Sequence, residues 1–325
     1  MKKIAVIGSG CWGTTLSILL ANNGNEVVLW CRRKEIADEL NKSRENKQYL
    51  SKVLLPKSIK ATSSLSDAVL DSEIFVLAIP SQFFRDTVSQ LKPFYKNQIV
   101  LSATKGLEHS TFGRMSQIIE QELKTKKVVV LSGPNHSEEV SIGKPTASVI
   151  ASSDAKIGKI TQECLDSENF KTYYIKDVAG AEICGAMKNI VAIAVGICDV
   201  ASLGDNSKDS IMTLGLVEMN ALGKYFGAKR GTIYGLAGVG DLVTTCISTF
   251  SRNRFVGENL AKGKSMDTIK KEMRGMVAEG VSTTKAAYEY GRKHKINLPL
   301  TAEIYKIIFE KKEINTAIKD LMKLI

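Results

Sequence analysis

Apolar residues in the first half of the chain fall in short unbroken runs: Ile4-Ala5-Val6-Ile7, Val27-Val28-Leu29-Trp30, and residues 74–79, 99–102, 128–131 and 147–151. Continuous runs of this length predict strands buried on both faces, because a solvated face would show as alternation. The stretches between them are polar or helical in period. The first, residues 14–23, puts Leu16, Leu19 and Leu20 on one side and then meets Gly24, a helix stop. Strands alternating with helices predict an α/β fold with a parallel, doubly wound sheet. The pattern changes near Val178. Residues 179–203 form one long apolar stretch rich in small residues, among them Ala181, Gly185, Ala186, Ala192 and Gly196. Helical periods continue over residues 211–227, 252–262, 266–272, 283–293 and 301–309, and no convincing strand follows Ile175. The expected organisation is a sheet domain over residues 1–178 and an all-α domain over residues 179–325. The length of 325 residues agrees, at about 150 residues per domain.

Between the first strand and the first helix lies Gly8-Ser9-Gly10-Cys11-Trp12-Gly13. A lone G-x-G-x-x-G says little, but inside a strand–helix–strand unit it marks a Rossmann-type dinucleotide site. Gly8 permits the tight turn, Gly10 lets backbone approach a pyrophosphate, and Gly13 lets helix and strand pack closely. The helix N-terminus then offers free N–H groups and partial positive charge to the phosphates. NAD-specific sites place Asp or Glu at the end of the second strand. This chain has Cys31-Arg32-Arg33-Lys34 there. Two arginines suit a 2′-phosphate, so NADP(H) is favoured over NAD(H). The competing reading of Arg32 and Arg33 is a solvated basic turn.

Charge narrows the class of partner. Lys+Arg 45 against Asp+Glu 34 leaves +11, which points to anionic partners or to plain solvated lysines. Nucleic-acid binding would call for clustered Lys/Arg with interleaved aromatics, whereas the charge is spread and aromatics are 6%. Small phosphorylated ligands remain. No stretch is expected to reach the roughly 18–20 apolar residues of a membrane helix. Met1-Lys2-Lys3 imitates a signal peptide, but Gly8, Gly10 and Gly13 interrupt the apolar region behind it. A cytoplasmic protein is expected. Six scattered cysteines without a C-x-x-C pair agree, and the distant His109, His136 and His294 give no metal site.

Ligands in doubly wound folds bind beyond the carboxyl ends of the strands. Ser81, Lys105, Gly133 and Asn135 all follow strand runs, so they fall where cofactor and substrate meet. Lys105 otherwise reads as a surface-loop lysine. Lys188-Asn189 stands inside the long apolar stretch. A buried lysine is costly unless paired or functional, and burial would lower its pKa into a range useful for proton transfer. The alternative is a lysine snorkelling at a helix edge. Gly235-Leu236-Ala237-Gly238-Val239-Gly240-Asp241 has no preceding strand and reads as a tight bend presenting Asp241. Ser251 is placed to cap the next helix, with Arg252 and Arg254 in its first turn. Cations there oppose the helix dipole, which favours anion binding over chance.

Taken together these stretches resemble bacterial-type NAD(P)-dependent glycerol-3-phosphate dehydrogenase. Gly8 to Thr14, Ala103-Thr104-Lys105-Gly106-Leu107-Glu108, Ser132-Gly133-Pro134, Gly185-Ala186-Met187-Lys188-Asn189, Gly238-Val239-Gly240-Asp241-Leu242, Thr244-Thr245-Cys246, Ser251-Arg252-Asn253-Arg254 and Val277-Ala278-Glu279-Gly280 occur in family order. The resemblance implies a homodimer that reduces dihydroxyacetone phosphate reversibly to sn-glycerol 3-phosphate, the backbone of phospholipids. It implies Lys188 as general acid/base, Lys105 polarising the carbonyl oxygen, and Asp241 orienting Lys188. Asn189, Thr245, Ser251, Arg252 and Asn253 would hold the substrate, with Gly133 and Asn135 closing that side. Gly8, Ser9, Gly10, Cys11, Trp12, Gly13, Arg32, Arg33, Lys105, Ser137, Arg252, Val277 and Glu279 would meet the cofactor. Asn135-His136-Ser137 departs from the common family sequence, most at His136 and Ser137. A 6-phosphogluconate- or ketopantoate-type reductase is disfavoured by Thr244-Thr245 and Ser251-Arg252-Asn253. A non-enzymatic NADP-binding protein is the remaining alternative.

Overall fold

Each apolar run of the first half forms a strand. The computed structural model describes residues 1–324, which divide into two compact units. The first comprises Met1–Thr104 and Met115–Val178. Its strands are β1 (Lys3–Ile7), β2 (Glu26–Trp30), β3 (Glu45–Asn46), β4 (Leu50–Leu54), β5 (Lys60–Thr62), β6 (Ile74–Leu77), β7 (Ile99–Ser102), β8 (Val128–Ser132), β9 (Thr146–Ala151) and β10 (Phe170–Ile175). Eight of them make one sheet in the order β10-β9-β8-β7-β6-β1-β2-β5, and β3 and β4 pair as a separate antiparallel ribbon. The chain alternates sides within β1: Ile4 and Val6 join the apolar cluster on one face, Ala5 and Ile7 that on the other. That two-sided burial is what the unbroken runs required.

The sheet is not wholly parallel, which corrects the sequence expectation. β8 and β9 pair antiparallel, and β10 follows β9 in parallel. Between β8 and β9 the connection holds only the short helix Ser137–Val140. Four helical residues span about 6 Å, too little to carry the chain back along a strand for a parallel return. The connection, residues 133–145, reverses the chain instead.

The second unit comprises Lys105–Arg114 and the chain from Ala179 onward. Residues 105–114 therefore leave the sheet domain to which the sequence assigned them. Leu107 is buried in the helical unit's apolar core, and Arg114 pairs with Glu182. At the centre of this core runs the helix Val178–Val200, called the core helix below. Contrary to expectation, it is long and apolar enough by length and composition to cross a membrane, with mean hydropathy 1.7 over its best window. It is a core helix because 89% of that window is buried inside the protein. Small residues admit its neighbour: a Cβ on Gly196 would lie 2.2 Å from the Arg254 carbonyl, and one on Gly257 would lie 2.0 Å from that of Ile193. The core helix and the helix Arg252–Ala261 thus touch backbone to backbone.

Candidate active site

The glycine loop of the first unit is built by contacts that no side chain would allow. Gly8 has φ +115°, and a Cβ there would fall 2.4 Å from the Ala78 carbonyl oxygen. A Cβ on Gly13 would fall 1.8 Å from the Gly8 carbonyl oxygen. A Cβ on Gly10 meets nothing within 4 Å, so the loop is open on that side. The helix Cys11–Asn22 starts there with Gly10 as its N-cap, no capping side chain and no acidic residue in its first turn. Its free N–H groups suit a phosphate. Trp12 Nε1 is buried and has no hydrogen-bond partner, a donor left for a ligand. The donor set and the open cradle fit a dinucleotide.

Asn46 holds the loop from outside. Its Nδ2 donates to the Ser9 carbonyl at 2.9 Å and to Thr14 Oγ1 at 2.7 Å. Sequence reasoning missed it, since a lone Asn in a polar stretch carries no signal before β3 is known. Ser137 is buried after β8, and its carbonyl accepts from Thr15 Oγ1 at 3.3 Å, which ties that turn to the glycine-loop helix. Cys11 Sγ donates to Glu138 at 3.7 Å. Gly133 has φ +119°, and buried Asn135 donates to Ser148 Oγ at 3.0 Å. The two arginines diverge. Arg32 lies with its guanidinium 5.6 Å from the Phe83 ring centroid, whereas Arg33 donates to Gln48 at 2.8 Å. Both are exposed.

In the second unit, three residues far apart in sequence meet at one carboxylate. Asp241 is 1% exposed. Its Oδ1 accepts from Lys188 Nζ, and its Oδ2 accepts from Lys105 Nζ at 2.8 Å. Lys188 also donates to Thr245 Oγ1 at 2.7 Å. Lys188 is buried mid-helix, which rules out the snorkelling reading. Lys105 is no surface lysine: its side chain is 16% exposed. Burial pushes the Lys105 ammonium down to about 7; Asp241 opposes that and Lys188 adds to it. Burial pushes the Asp241 carboxyl up, but the Lys105 and Lys188 ammoniums overcome it and hold the group below the usual carboxylate range.

Asp241 is positioned differently from the expected bend. Leu236–Gly240 wind as a π-helical turn that runs straight into the helix Asp241–Ile247. Gly238 makes this possible, because a Cβ there would lie 1.9 Å from the Ile233 carbonyl oxygen. The wide turn places Asp241 at a helix start, facing the core helix. Beside it runs a chain of amides. Asn189 Nδ2 donates to the Lys105 carbonyl at 3.3 Å, Asn253 Nδ2 donates to Asn189 Oδ1 at 2.8 Å, and Gly280 N donates to Asn253 Oδ1 at 2.8 Å. This orders Asn189 and Asn253, and it fixes which end of each amide donates.

Ser251 caps the helix Arg252–Ala261, its hydroxyl accepting from Arg254 N at 3.3 Å. Only one of the two first-turn arginines remains for an anion. Arg254 is held by Asp199 at 2.7 Å and by Glu258 at 3.2 Å, whereas half-buried Arg252 pairs with no described carboxylate. Val277 and Glu279 lie at the start of the helix Glu279–His294. The candidate site residues therefore fall into two groups. Gly8 to Gly13, Arg32, Arg33, Gly133, Asn135 and Ser137 belong to the first unit. Lys105, Lys188, Asn189, Asp241, Thr245, Ser251, Arg252, Asn253, Val277 and Glu279 belong to the second.

A glycine-cradled dinucleotide site on a mainly parallel sheet, joined in one chain to a helical unit with a buried lysine–carboxylate–lysine set, defines a pyridine-nucleotide-dependent oxidoreductase. The chain belongs to the NAD-dependent glycerol-3-phosphate dehydrogenase family: the family's N-terminal model matches residues 3–158 and its C-terminal model residues 177–319. It is 45% identical over 324 residues to glycerol-3-phosphate dehydrogenase [NAD(P)+] of Chlorobium phaeobacteroides, covering 98% of this chain and 97% of that one. The Bacillus subtilis protein of the same name is 40% identical over 326 residues, covering 99% and 94%. Among solved structures, glycerol-3-phosphate dehydrogenase from Coxiella burnetii superimposes with a TM-score of 0.95 at 34% identity, covering 99% of this chain and 98% of that one.

Proposed function

We propose that this chain interconverts dihydroxyacetone phosphate and sn-glycerol 3-phosphate with NAD(P)(H), supplying the backbone of phospholipids. The observation that carries the reading is the single buried carboxylate of Asp241 shared by Lys105 and Lys188. Two cations against one anion leave net positive charge at a largely buried site, which favours the alkoxide that forms when a carbonyl is reduced. When bound, the nicotinamide supplies or takes the hydride. Lys188 donates the proton to the carbonyl oxygen on reduction and removes it on oxidation. Lys105 polarises the same oxygen. Asp241 keeps both amines aimed at one point, and Thr245 fixes the second direction of Lys188.

Arg252, beyond its Ser251 cap, is the partner for the substrate phosphate, with Asn189 and Asn253 on the hydroxyl groups. Gly133 and Asn135 close the substrate side. Gly8, Ser9, Gly10, Cys11, Trp12, Gly13, Arg32, Arg33, Ser137, Val277 and Glu279 serve the cofactor. NADP(H) is the preferred form, with Arg32 on the 2′-phosphate, since Arg33 is engaged with Gln48. The protein works in the cytoplasm as a homodimer; six free cysteines accord with a reducing compartment. The test is oxidation of NADPH or NADH on addition of dihydroxyacetone phosphate. Lys188→Ala is expected to lose at least about a thousandfold in kcat while still binding cofactor, the scale of a lost general acid. Undiminished turnover in Lys188→Ala would sink the assignment.

A further inference from the structure

The segment Lys105–Arg114 is fastened to the core helix at both ends. At its start, Asn189 Nδ2 donates to the Lys105 carbonyl at 3.3 Å. At its end, the Arg114 guanidinium pairs with the Glu182 carboxylate, and these side chains are 14% and 2% exposed. Glu182 and Asn189 are seven residues apart, which is two turns of helix, so they share one stripe about 10 Å long. Between them Leu107 is 2% exposed and lies in the same apolar cluster as Ile183, Ala186 and Ile190 of that helix. The segment is also closed on itself. Leu107 and Arg114 form an antiparallel bridge, and Glu108 N donates to the Gly113 carbonyl at 2.9 Å. Arg114 thus stands across from the residue two positions beyond Lys105. One helix carries Lys188 directly and Lys105 through these two fastenings.

We propose that Arg114 and Glu182 are positioning residues that set Lys105 against Asp241. The inference rests on the reading that Lys105 acts on the substrate's carbonyl oxygen. A buried ion pair contributes little net stability, because desolvation offsets its attraction; its documented use is to fix registry. Here the registry is that of the loop on the helix, and it sets how far Lys105 Nζ reaches. Neither residue is among those assigned to substrate or cofactor, so the role argued for them is positioning.

Arg114→Met takes the guanidinium away from the buried Glu182 carboxylate and is expected to be unstable. The informative variant is Arg114→Met with Glu182→Leu, which removes both charges and keeps an apolar fill. Its Tm is expected to stay close to wild type. Its kcat for dihydroxyacetone phosphate reduction is expected to fall about tenfold to a hundredfold, the scale of an ångström-level misplacement. KM for NADPH should stay within about twofold of wild type. Arg114→Lys, which keeps the charge, should recover most of the lost kcat. Wild-type kcat in the double variant, or Arg114→Lys no better than the double variant, overturns the proposal. Amide hydrogen exchange of residues 106–113 gives a readout independent of turnover. It should quicken about tenfold in the double variant, while residues 190–197 stay as in wild type. If the wild-type chain itself fails to oxidise NADPH with this ketone, the functional reading fails. The exchange experiment then decides alone, and unchanged exchange at residues 106–113 overturns the positioning role.

Discussion

The Asp241 carboxylate carries a lysine on each oxygen. Burial holds the Lys105 amine down to about 7, so it loses its proton near neutral pH. In the proposed reaction, reduction needs its ammonium, because only the charged form would polarise the carbonyl. The group's folded pKa lies near 7, so the competent form dominates below that pH and fades above it. kcat/KM for ketone reduction is therefore expected to be flat below about pH 7 and to fall about tenfold per unit above it. Lys105→Arg keeps the charge at all accessible pH, so its reduced activity should lose that limb. A wild-type profile flat from pH 6 to 9 would remove Lys105 from the role. Lys188 was legible in the sequence because it is the one basic residue of the apolar stretch 179–203, and a buried cation has to be paired or functional. Asn46, Arg114 and Glu182 were not: each is an ordinary polar residue whose partner stands 32 to 68 positions away.

Among the elements, a buried glutamate does a distant job. The helix Pro299–Phe309 starts with proline and gets no capping side chain from Leu298. Glu218, 2% exposed on the helix Asp205–Tyr225, takes that place: its carboxyl accepts from Leu300 N, from Thr301 N at 3.1 Å and from Thr301 Oγ1 at 2.6 Å. Burial, against those donors, raises its pKa to about 7. A folded value above the unfolded one means stability that is full below about pH 4.5 and is lost as pH rises through 7. Thermal melts should show wild type losing roughly 2–3 kcal/mol from this group between pH 4.5 and 8. Glu218→Gln, which cannot ionise, should be less stable than wild type at pH 5 by about 1–3 kcal/mol. The gap should close as pH rises; parallel melting curves would refute the assignment. Elements with strong apolar signals were legible from sequence, and so, to the residue, was the mostly polar helix Met266–Glu272. Edge strands β5 and β10 and the β3–β4 ribbon were not, because their half-solvated residues lack a run. The reversal at β9 and the π-helical turn before Asp241 depend on connection length and on one glycine contact, which periodicity does not register.

For the whole molecule, the two-part organisation was visible as a change of pattern, but the excursion of residues 105–114 was not, since a loop after a strand reads as part of the strand's domain. The charge of +11 was visible and ambiguous. The site readings assign a chemical task to Arg32, Arg33, Lys105, Lys188 and Arg252 among 45 basic residues. Others, such as Arg114 with Glu182 and Arg254 with Asp199, are tied up in ion pairs, and the net excess of positive charge acts as a diffuse field. Such a field speeds encounter with anionic substrate and is screened as the Debye length shrinks from about 30 Å at 0.01 M to about 8 Å at 0.15 M salt. kcat/KM for dihydroxyacetone phosphate should then fall over that range while kcat holds steady. If Arg252 is the phosphate partner proposed above, Arg252→Gln removes a specific charged hydrogen bond, worth about 1.5–3 kcal/mol. It should raise KM by about tenfold to a hundredfold at every salt concentration and leave most of the salt slope in place. If the slope vanishes with Arg252, the field was local to one side chain and the other basic residues are inert. If kcat itself falls with salt in wild type, the charge acts after binding, and the encounter argument is wrong.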